Sequence, residues 1–196
     1  MDDNYPLETH PFPPFIPEGA KILICGTFPP KSNRWSMEFY YPNRINDFWR
    51  IMGFIFYNDK DYFYDVTSRT FRLQEIKEFL NEKKIALSDT GNTVRRLKDN
   101  ASDKFLEIVK PMDLYSLLKR MPDCIAIATT GEKAAETMAS ITSTVPPAIG
   151  KYVTATLSSG NVVKIFRMPS TSRAYPLALE KKAEFYKAMF HEIGII

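Results

Sequence analysis

Cysteine, histidine and long apolar runs are scarce in this 196-residue sequence, and each shortage excludes a class of protein. Cys25 and Cys124 lie within apolar runs, which is typical of buried free thiols in a reducing compartment and not of a disulfide framework. With His10 and His191 as the only histidines, a zinc site or an iron–sulfur cluster cannot be assembled, and a Ser–His or Cys–His nucleophile pair is disfavoured. No apolar run approaches the roughly 20 residues of a membrane helix, and the polar start is unlike a secretory signal. We therefore expect a cytoplasmic protein that uses no metal and no other cofactor and meets no membrane.

The composition predicts a folded chain with a substantial core. Hydrophobic residues make up 44% of the sequence and charged residues 25%, and the net charge of +3 permits a nucleic-acid partner without demonstrating one. Five prolines between Tyr5 and Pro17 predict an extended leader, residues 1–20, packed on a single domain that spans 1–196. No repeat or linker divides the chain, and we expect a monomer.

Short β-branched and apolar runs alternate with helical patterns. The predicted strands are 21–25, 85–88, 124–128 and 162–168, and 152–157 is expected to pair with the last of these through a turn at 158–161. Apolar stripes predict helices around Ile45–Met52, 73–80, 105–109, 114–118, 131–141 and 179–193. The alternation predicts an α/β domain with a mainly parallel sheet, whose sites lie beyond the carboxyl ends of the strands. That rule selects the segments 26–31, 89–93 and 169–175.

Four segments could carry chemistry. GTFPPKS (26–32) has one glycine and no GK[ST], which disfavours nucleotide phosphate loops, and its prolines predict a stiff turn whose amides can face a ligand. In FYYPNRINDFWR (39–50), Asn43 and Asn46 are both candidate helix caps, but one helix start needs one cap, so the other amide could face a base. Asp89 is either a turn residue or a ligand group, and MPSTSRAYP (168–176) suits helix capping or contact with a phosphate backbone.

In this order, GTFPP, YYPNRINDFW and MPSTSRA resemble the uracil-DNA glycosylase superfamily, most closely its mismatch-specific and hypoxanthine-DNA glycosylase branches. The resemblance spans nearly the whole chain from His10. It implies a three-layer α/β/α sandwich around a central, mainly parallel four-stranded sheet. It also implies removal of deaminated bases from DNA without metal or organic cofactor, after the damaged nucleotide is flipped out of the duplex.

The resemblance also assigns roles to individual positions. Asn46 takes the place of the catalytic asparagine, Tyr41 that of the aromatic ring that stacks on the flipped base, and Asp89 that of a side chain that reads the base edge. Further base-binding positions are Thr27 and Phe28, through their backbone amides, and Met168. The loop that enters the duplex and holds phosphates is Ser170, Thr171, Ser172 and Arg173. Other candidate phosphate contacts are Arg34, Arg44, Arg95 and Arg96.

The sequence departs from the family pattern at several positions. Phe28 stands where many relatives carry an Asn or Asp that orients water, and Met168 stands where many carry His or Asn. Asn43 replaces a histidine common in the hypoxanthine-type branch, and Ser172 replaces the hydrophobic wedge of some relatives. We predict a monofunctional DNA glycosylase that hydrolyses the N-glycosidic bond of uracil or hypoxanthine. The alternative is a glycosylase-fold protein with little or no activity that binds damaged or single-stranded nucleic acid.

Overall fold

The computed structural model describes residues 5–98, 102–157 and 160–196. Strands and helices alternate along these residues, as an α/β chain requires. The strands are β1 (Leu7–Thr9), β2 (Ile22–Gly26), β3 (Tyr64–Asp65), β4 (Thr70–Phe71), β5 (Ile85–Asp89), β6 (Gly91–Arg96), β7 (Leu106–Pro111), β8 (Ala126–Thr130), β9 (Tyr152–Thr156) and β10 (Val162–Met168). The α-helices are α1 (Phe48–Tyr57), α2 (Leu73–Lys83), α3 (Leu114–Lys119), α4 (Glu132–Thr142) and α5 (Leu179–Glu192).

The main sheet has the strand order β5-β2-β8-β10-β9. The first four strands run parallel, while β9 pairs antiparallel with β10. The predicted α/β class and the predicted pairing of 152–157 with the last strand are therefore confirmed, but the four-stranded sheet that the resemblance implies is wrong. The reason is the short connection after β9, which returns the chain directly to the otherwise unpaired edge of β10. The predicted turn at 158–161 includes Ser158 and Ser159, which lie outside the described residues.

The parallel strands are buried on both faces, as their continuous apolar sequences predict. In β2, Ile22 and Ile24 face one apolar cluster, whereas Leu23 and Cys25 face the other. The first cluster is completed by side chains of α1, α2 and α5, and the second by side chains of α3 and α4. Apolar packing on both faces fixes the register of the sheet, because a slip of one residue would exchange the two faces.

A smaller antiparallel sheet of order β1-β6-β7 corrects two expectations. The helix predicted at 105–109 is strand β7, where the β-branched Ile108 pairs with Val94 of β6. The chain after Asp89 does not form a simple turn, because β6 begins at Gly91. The leader supplies β1, which pairs with β6 and anchors the N-terminal segment. No described helix is long and apolar enough to cross a membrane.

The register of the main sheet aligns the strand ends that form the site. Gly26 at the end of β2 lies beside Asp89 at the end of β5, and Met168 at the end of β10 lies beside Thr130 at the end of β8. Four parallel strands therefore present their last residues at one edge, where open α/β sheets bind ligands.

Candidate active site

A cavity of about 980 Å³ opens at the carboxyl ends of the parallel strands. The structure brings together at this cavity the ten residues that the resemblance assigns to the base, to catalysis or to the loop that enters the duplex. They are Thr27, Phe28, Tyr41, Asn46, Asp89, Met168, Ser170, Thr171, Ser172 and Arg173. Their assigned roles stay predictions.

The floor of the cavity is a close group of polar atoms around Gly26. A Cβ atom at this position would lie 2.8 Å from Oδ1 of Asp89, 3.3 Å from the hydroxyl of Tyr41 and 3.5 Å from Oγ1 of Thr130. Only a residue without a side chain leaves room for these three groups. The sequence analysis did not single out Thr130, because a threonine at a strand end carries no signal of its own.

Asp89 is held by His10 from the N-terminal leader. Nε2 of His10 lies 2.8 Å from Oδ2 of Asp89, and each side chain is 8% exposed. Among the described residues, no other side chain or backbone group bonds to the carboxylate, so Oδ1 is left as an acceptor that faces the cavity floor. The sequence analysis missed this role of His10, since 79 residues separate the two partners.

Asn46 lies two residues before helix α1 and lines the cavity. Its Oδ1 accepts a hydrogen bond from the N–H of Phe48 at 2.9 Å, and this donor fixes which end of the amide is oxygen. Its backbone pairs with Ser172 in an isolated antiparallel bridge. Since no described group accepts from Nδ2, the NH₂ end of the amide is available to a ligand.

The two asparagines do not divide into one cap and one free amide as expected. Oδ1 of Asn43 accepts from the N–H of Ile45 at 3.1 Å, in the same kind of turn that Asn46 makes with Phe48. The residue immediately before α1 is Asp47, so Ile45 lies outside the helix in which its spacing had placed it. Two successive Asx turns thus engage the Oδ1 atoms of Asn43 and Asn46, and neither NH₂ group donates to another described residue.

Tyr41 has one ring face covered. Its ring stacks on Phe48 with centroids 3.9 Å apart and planes 13° from parallel, and its hydroxyl lies 3.0 Å from Oγ1 of Thr130. Burial, reinforced by the carboxylate of Asp89, raises the pKa of this phenol well above its usual value, so Tyr41 is neutral. Its φ of 53° is left-handed, a conformation that tyrosine adopts only where packing fixes it.

The remaining base-binding candidates differ in exposure. Thr27 and Met168 are 5% and 1% exposed, whereas Phe28 is half-buried. No hydrogen bond from the N–H of Thr27 or Phe28 occurs among the described residues outside the regular ladders of strands and helices. The ring of Phe28 meets His10 edge-on at 5.1 Å, and the guanidinium of Arg96 lies 5.5 Å from its centroid.

A buried ion pair between Lys182 and Asp47 holds the loop 170–173 beside the residue that follows Asn46. Nζ of Lys182 donates to Oδ2 of Asp47 at 3.0 Å and to the carbonyl oxygen of Ser172 at 2.8 Å. The N–H of Asp47 donates to the carbonyl of Thr171 at 2.8 Å. Thr171 is only 2% exposed, while Ser172 and Arg173 are exposed at the cavity mouth. The apolar helical stripe of α5 did not indicate that Lys182 would be buried.

Asp103 is a second carboxyl group at the cavity that the sequence analysis missed. Its Oδ2 accepts a hydrogen bond from Oγ1 of Thr27 at 2.8 Å. Burial raises the pKa of Asp103, the hydrogen bond from Thr27 lowers it, and the charge of Asp89 raises it further. No sequence motif surrounds Asp103, which reaches the cavity only because the β6–β7 hairpin folds over it.

Basic side chains stand at the cavity mouth. The exposed ones are Arg34, Lys104 and Arg173, and the partly buried ones are Arg96, Lys133 and Arg167. Arg44 is exposed and does not line the cavity. Of the other candidate phosphate contacts, Arg95 pairs with Glu107 and Arg96 with Glu8. Within the described residues, no group of three His, Cys, Asp or Glu side chains is placed to hold a metal ion.

Comparison with known proteins identifies both the family and the fold. No protein-family model matches the chain. The hypoxanthine DNA glycosylase of Methanosarcina barkeri is 30% identical over 126 residues, which are 64% of this chain and 72% of that protein. The solution structure of a "putative Uracil DNA glycosylase" from Methanosarcina acetivorans superimposes with a TM-score of 0.67 at 20% identity, covering 96% of this chain and 99% of that one. The second likeness establishes the fold alone.

Proposed function

Because this chain belongs to the uracil-DNA glycosylase superfamily, on its hypoxanthine-DNA glycosylase branch, we propose that it removes uracil or hypoxanthine from DNA. The reaction is hydrolysis of the N-glycosidic bond of a flipped-out nucleotide, without a metal or organic cofactor. The observation that carries the proposal is the cavity itself, where a carboxylate oxygen of Asp89 and the free NH₂ of Asn46 line one pocket.

The acceptor on the cavity floor suits a deaminated base. Uracil and hypoxanthine both present a ring N–H beside a carbonyl, whereas cytosine and adenine present an unprotonated ring nitrogen at the corresponding position. An ionised carboxylate can only accept hydrogen bonds, so Oδ1 of Asp89 attracts the first pair of bases and repels the second. The N–H groups of Thr27 and Phe28 are the donors that we assign to the base carbonyl, and Met168 supplies apolar contact.

Asn46 is the residue to which we assign catalysis. Breaking the bond places positive charge on the sugar and negative charge on the departing base, so donors aimed at the base lower the barrier. Because Oδ1 of Asn46 is already engaged with the helix backbone, the amide presents its NH₂ with its orientation preset. One preorganised donor of this kind is worth about 3 kcal/mol of activation free energy.

We assign stacking on the flipped base to Tyr41 and contact with the duplex to the loop 170–173. The face of Tyr41 turned away from Phe48 is the surface that we assign to stacking, which contributes about 1–3 kcal/mol per base. Ser170, Ser172 and Arg173 are assigned to the phosphates and the gap in the duplex, and Thr171 to holding the loop through its carbonyl.

Strand cleavage is not part of the proposed reaction. A lyase needs an amine that can attack the sugar, and no motif of the sequence assigns a lysine to that role. Lys182, next to the loop 170–173, is 0% exposed with Nζ bonded to Asp47 and Ser172, and we assign Lys104 and Lys133, which line the cavity, to contact with the DNA backbone. We further propose that the sheet and its two helical faces form a three-layer α/β/α single domain, with the leader 1–20 as part of it, and that the protein acts as a cytoplasmic monomer.

The test is an excision panel on duplex and single-stranded DNA with one uracil, one hypoxanthine or no damage. Alkali then cleaves any abasic site. We expect strand breaks at a deaminated base and a loss of about 100-fold in rate for Asn46→Ala. Asn43→Ala is the matched control, because it removes the hydrogen bond from Ile45 to Asn43, which is equivalent to the one that Asn46 accepts from Phe48. Since we assign no catalytic role to Asn43, this variant should retain most activity.

One specific observation favours the alternative of a binding protein. Phe28 and Met168 are apolar where many relatives carry water-orienting or base-contacting polar groups, and both line the cavity. Tight binding to abasic or mispaired duplexes with no base release by the wild-type protein would establish this alternative and remove the enzymatic assignment.

A further inference from the structure

We propose that His10 is a positioning residue that makes Asp89 selective for deaminated bases. This inference rests on the proposed function, and it assigns a role in the site to the N-terminal leader. His10 acts through Asp89 and touches no substrate: it bonds Oδ2 and so leaves Oδ1 aimed at the floor of the cavity.

The hydrogen bonds of His10 define its tautomer. The N–H of Phe12 points to Nδ1 at 3.1 Å, so in the neutral ring Nδ1 accepts and Nε2 carries the hydrogen that is donated to Asp89. The carbonyl oxygen of Phe12 lies 2.9 Å from the same Nδ1 and would accept from a second proton. The ring therefore keeps its bond to Asp89 whether it is neutral or charged.

Aromatic packing holds the imidazole in place. Its ring stacks on Tyr40 with centroids 5.6 Å apart, and it meets Phe28 and Phe12 edge-on at 5.1 and 5.9 Å. Tyr40 is itself 2% exposed and so cannot move aside. A donor fixed by packing restrains its acceptor, so Asp89 has one preferred orientation.

Backbone pairing of the leader places His10 beside Asp89. Strand β1 ends at Thr9, and the N–H of His10 continues the pairing by donating to the carbonyl of Asn92 at 2.8 Å. Five residues later, Phe15 forms a bridge with Leu87 of β5, two residues before Asp89. The proline-rich leader is thus tied on both sides of the histidine to the segments that flank the carboxylate.

The pair also separates two cavities. Asp89 lines the main cavity and a smaller one of about 250 Å³, whereas His10 lines only the smaller one. Removing the imidazole would let water reach the carboxylate from behind. A carboxylate that is free to rotate no longer keeps Oδ1 aimed at the ring N–H of a deaminated base, so its preference over adenine and cytosine falls.

The test compares His10→Phe, which keeps the ring and the packing but has no donor, with His10→Gln, whose amide can replace the Nε2–H. The readout is single-turnover excision of hypoxanthine and of adenine, each opposite thymine. We expect His10→Phe to lower hypoxanthine excision about tenfold and to reduce the hypoxanthine-to-adenine ratio, and His10→Gln to recover most of both. His191→Phe is the control, because His191 is the other histidine and is exposed at the end of α5.

Two results distinguish positioning from simple support of the fold. In the Asp89→Ala background, His10→Phe should cause little further loss, because alanine leaves no acceptor for Nε2–H. Ring ¹⁵N spectra of the wild type should show the hydrogen on Nε2. A His10→Phe variant that keeps wild-type rate and base preference, or losses that add fully in the double variant, would overturn the inference while the glycosylase assignment stands. A wild-type protein that excises no base would instead remove the proposed function.

Discussion

Gly26 is the residue on which the cavity floor depends most directly. Its φ is not left-handed, so alanine fits its backbone, but the added methyl group would stand 2.8 Å from Oδ1 of Asp89. The carboxylate would have to rotate and lose its bond to His10. We predict that Gly26→Ala folds and lowers kcat/KM at least about tenfold, measured by single-turnover excision beside thermal unfolding.

Gly194→Ala supplies the contrast for that experiment. Its Cβ would meet no atom within 4 Å, although its φ of 71° is left-handed. Any loss in this variant should therefore appear in stability and not in catalysis. Unchanged activity in Gly26→Ala would show that Asp89 does not read the base from this position.

Asp103 predicts a pH dependence of stability. Because burial raises its pKa in the folded state above the usual 3.8, the folded protein holds this proton more tightly than the unfolded chain. Stability from this group is therefore greatest in acid and falls as the pH rises through the raised pKa. We expect Asp103→Asn to unfold at a higher temperature than the wild type at neutral pH, with the difference shrinking towards about pH 4.

The exposed Asp113 provides the opposite case. It caps α3 by accepting from the N–H and hydroxyl of Ser116, and these bonds lower its pKa. Its contribution is present at neutral pH and lost in acid, so Asp113→Asn should be less stable than the wild type at neutral pH. Equal unfolding temperatures for Asp103→Asn and wild type at every pH would contradict the account of Asp103.

At the scale of elements, the ion pair between Asp47 and Lys182 joins α5 to the start of α1 and to the loop 170–173. Both side chains are buried, so removing one leaves a charge that lacks its main partner. We predict that Lys182→Met lowers the free energy of unfolding by about 3 kcal/mol, and that Asp47→Asn in the same chain recovers part of that loss. Urea denaturation of the wild type, the two single variants and the double variant measures the loss and its recovery.

A neighbouring surface pair is the control. Lys181 and Glu184 lie on the same helix with more than half of each side chain exposed, so Lys181→Met should change stability by less than about 1 kcal/mol. If the two lysine variants are equally stable, the buried pair does not hold the loop against Asn46.

The elements also show where sequence reasoning succeeds and where it stops. The continuous apolar run ILICG and the apolar stripe of α5 are local patterns, so the sequence alone predicts β2 and α5. Residues 105–109 carry apolar positions compatible with a helix, but Ile108 finds a pairing partner in β6, and that pairing decides the structure. Pairing between distant segments cannot be read from periodicity.

The site divides in the same way. Asp89 follows a predicted strand, so its place in the sheet points to it, whereas the catalytic role of Asn46 comes from the resemblance of YYPNRINDFW to the family. His10 lies 79 residues from its partner Asp89, and Asp103 lies 76 residues from its partner Thr27, and neither has a motif of its own. Only the folded chain brings each of them to its partner.

At the scale of the whole molecule, a net charge of +3 leaves DNA binding to the local distribution of charge. Arg34 and Lys133 line the cavity, and no ion pair to either occurs among the described residues. We predict that Arg34→Gln and Lys133→Gln each make the plot of log binding constant against log salt shallower by about one unit. Lys181→Gln should leave the slope unchanged, because Lys181 is exposed on α5 and does not line the cavity. If neither Arg34→Gln nor Lys133→Gln changes the slope, the duplex does not bind at this cavity.

The central claim is that one deaminated base is released from DNA inside this cavity. It is tested most directly by incubating excess protein with a duplex that holds a single hypoxanthine or uracil and measuring the free base by chromatography with mass detection. The account predicts free base in the same molar amount as abasic sites, in strands that stay intact until alkali is added, and almost none with Asn46→Ala. Stable binding of the duplex with no free base from the wild-type protein would contradict it.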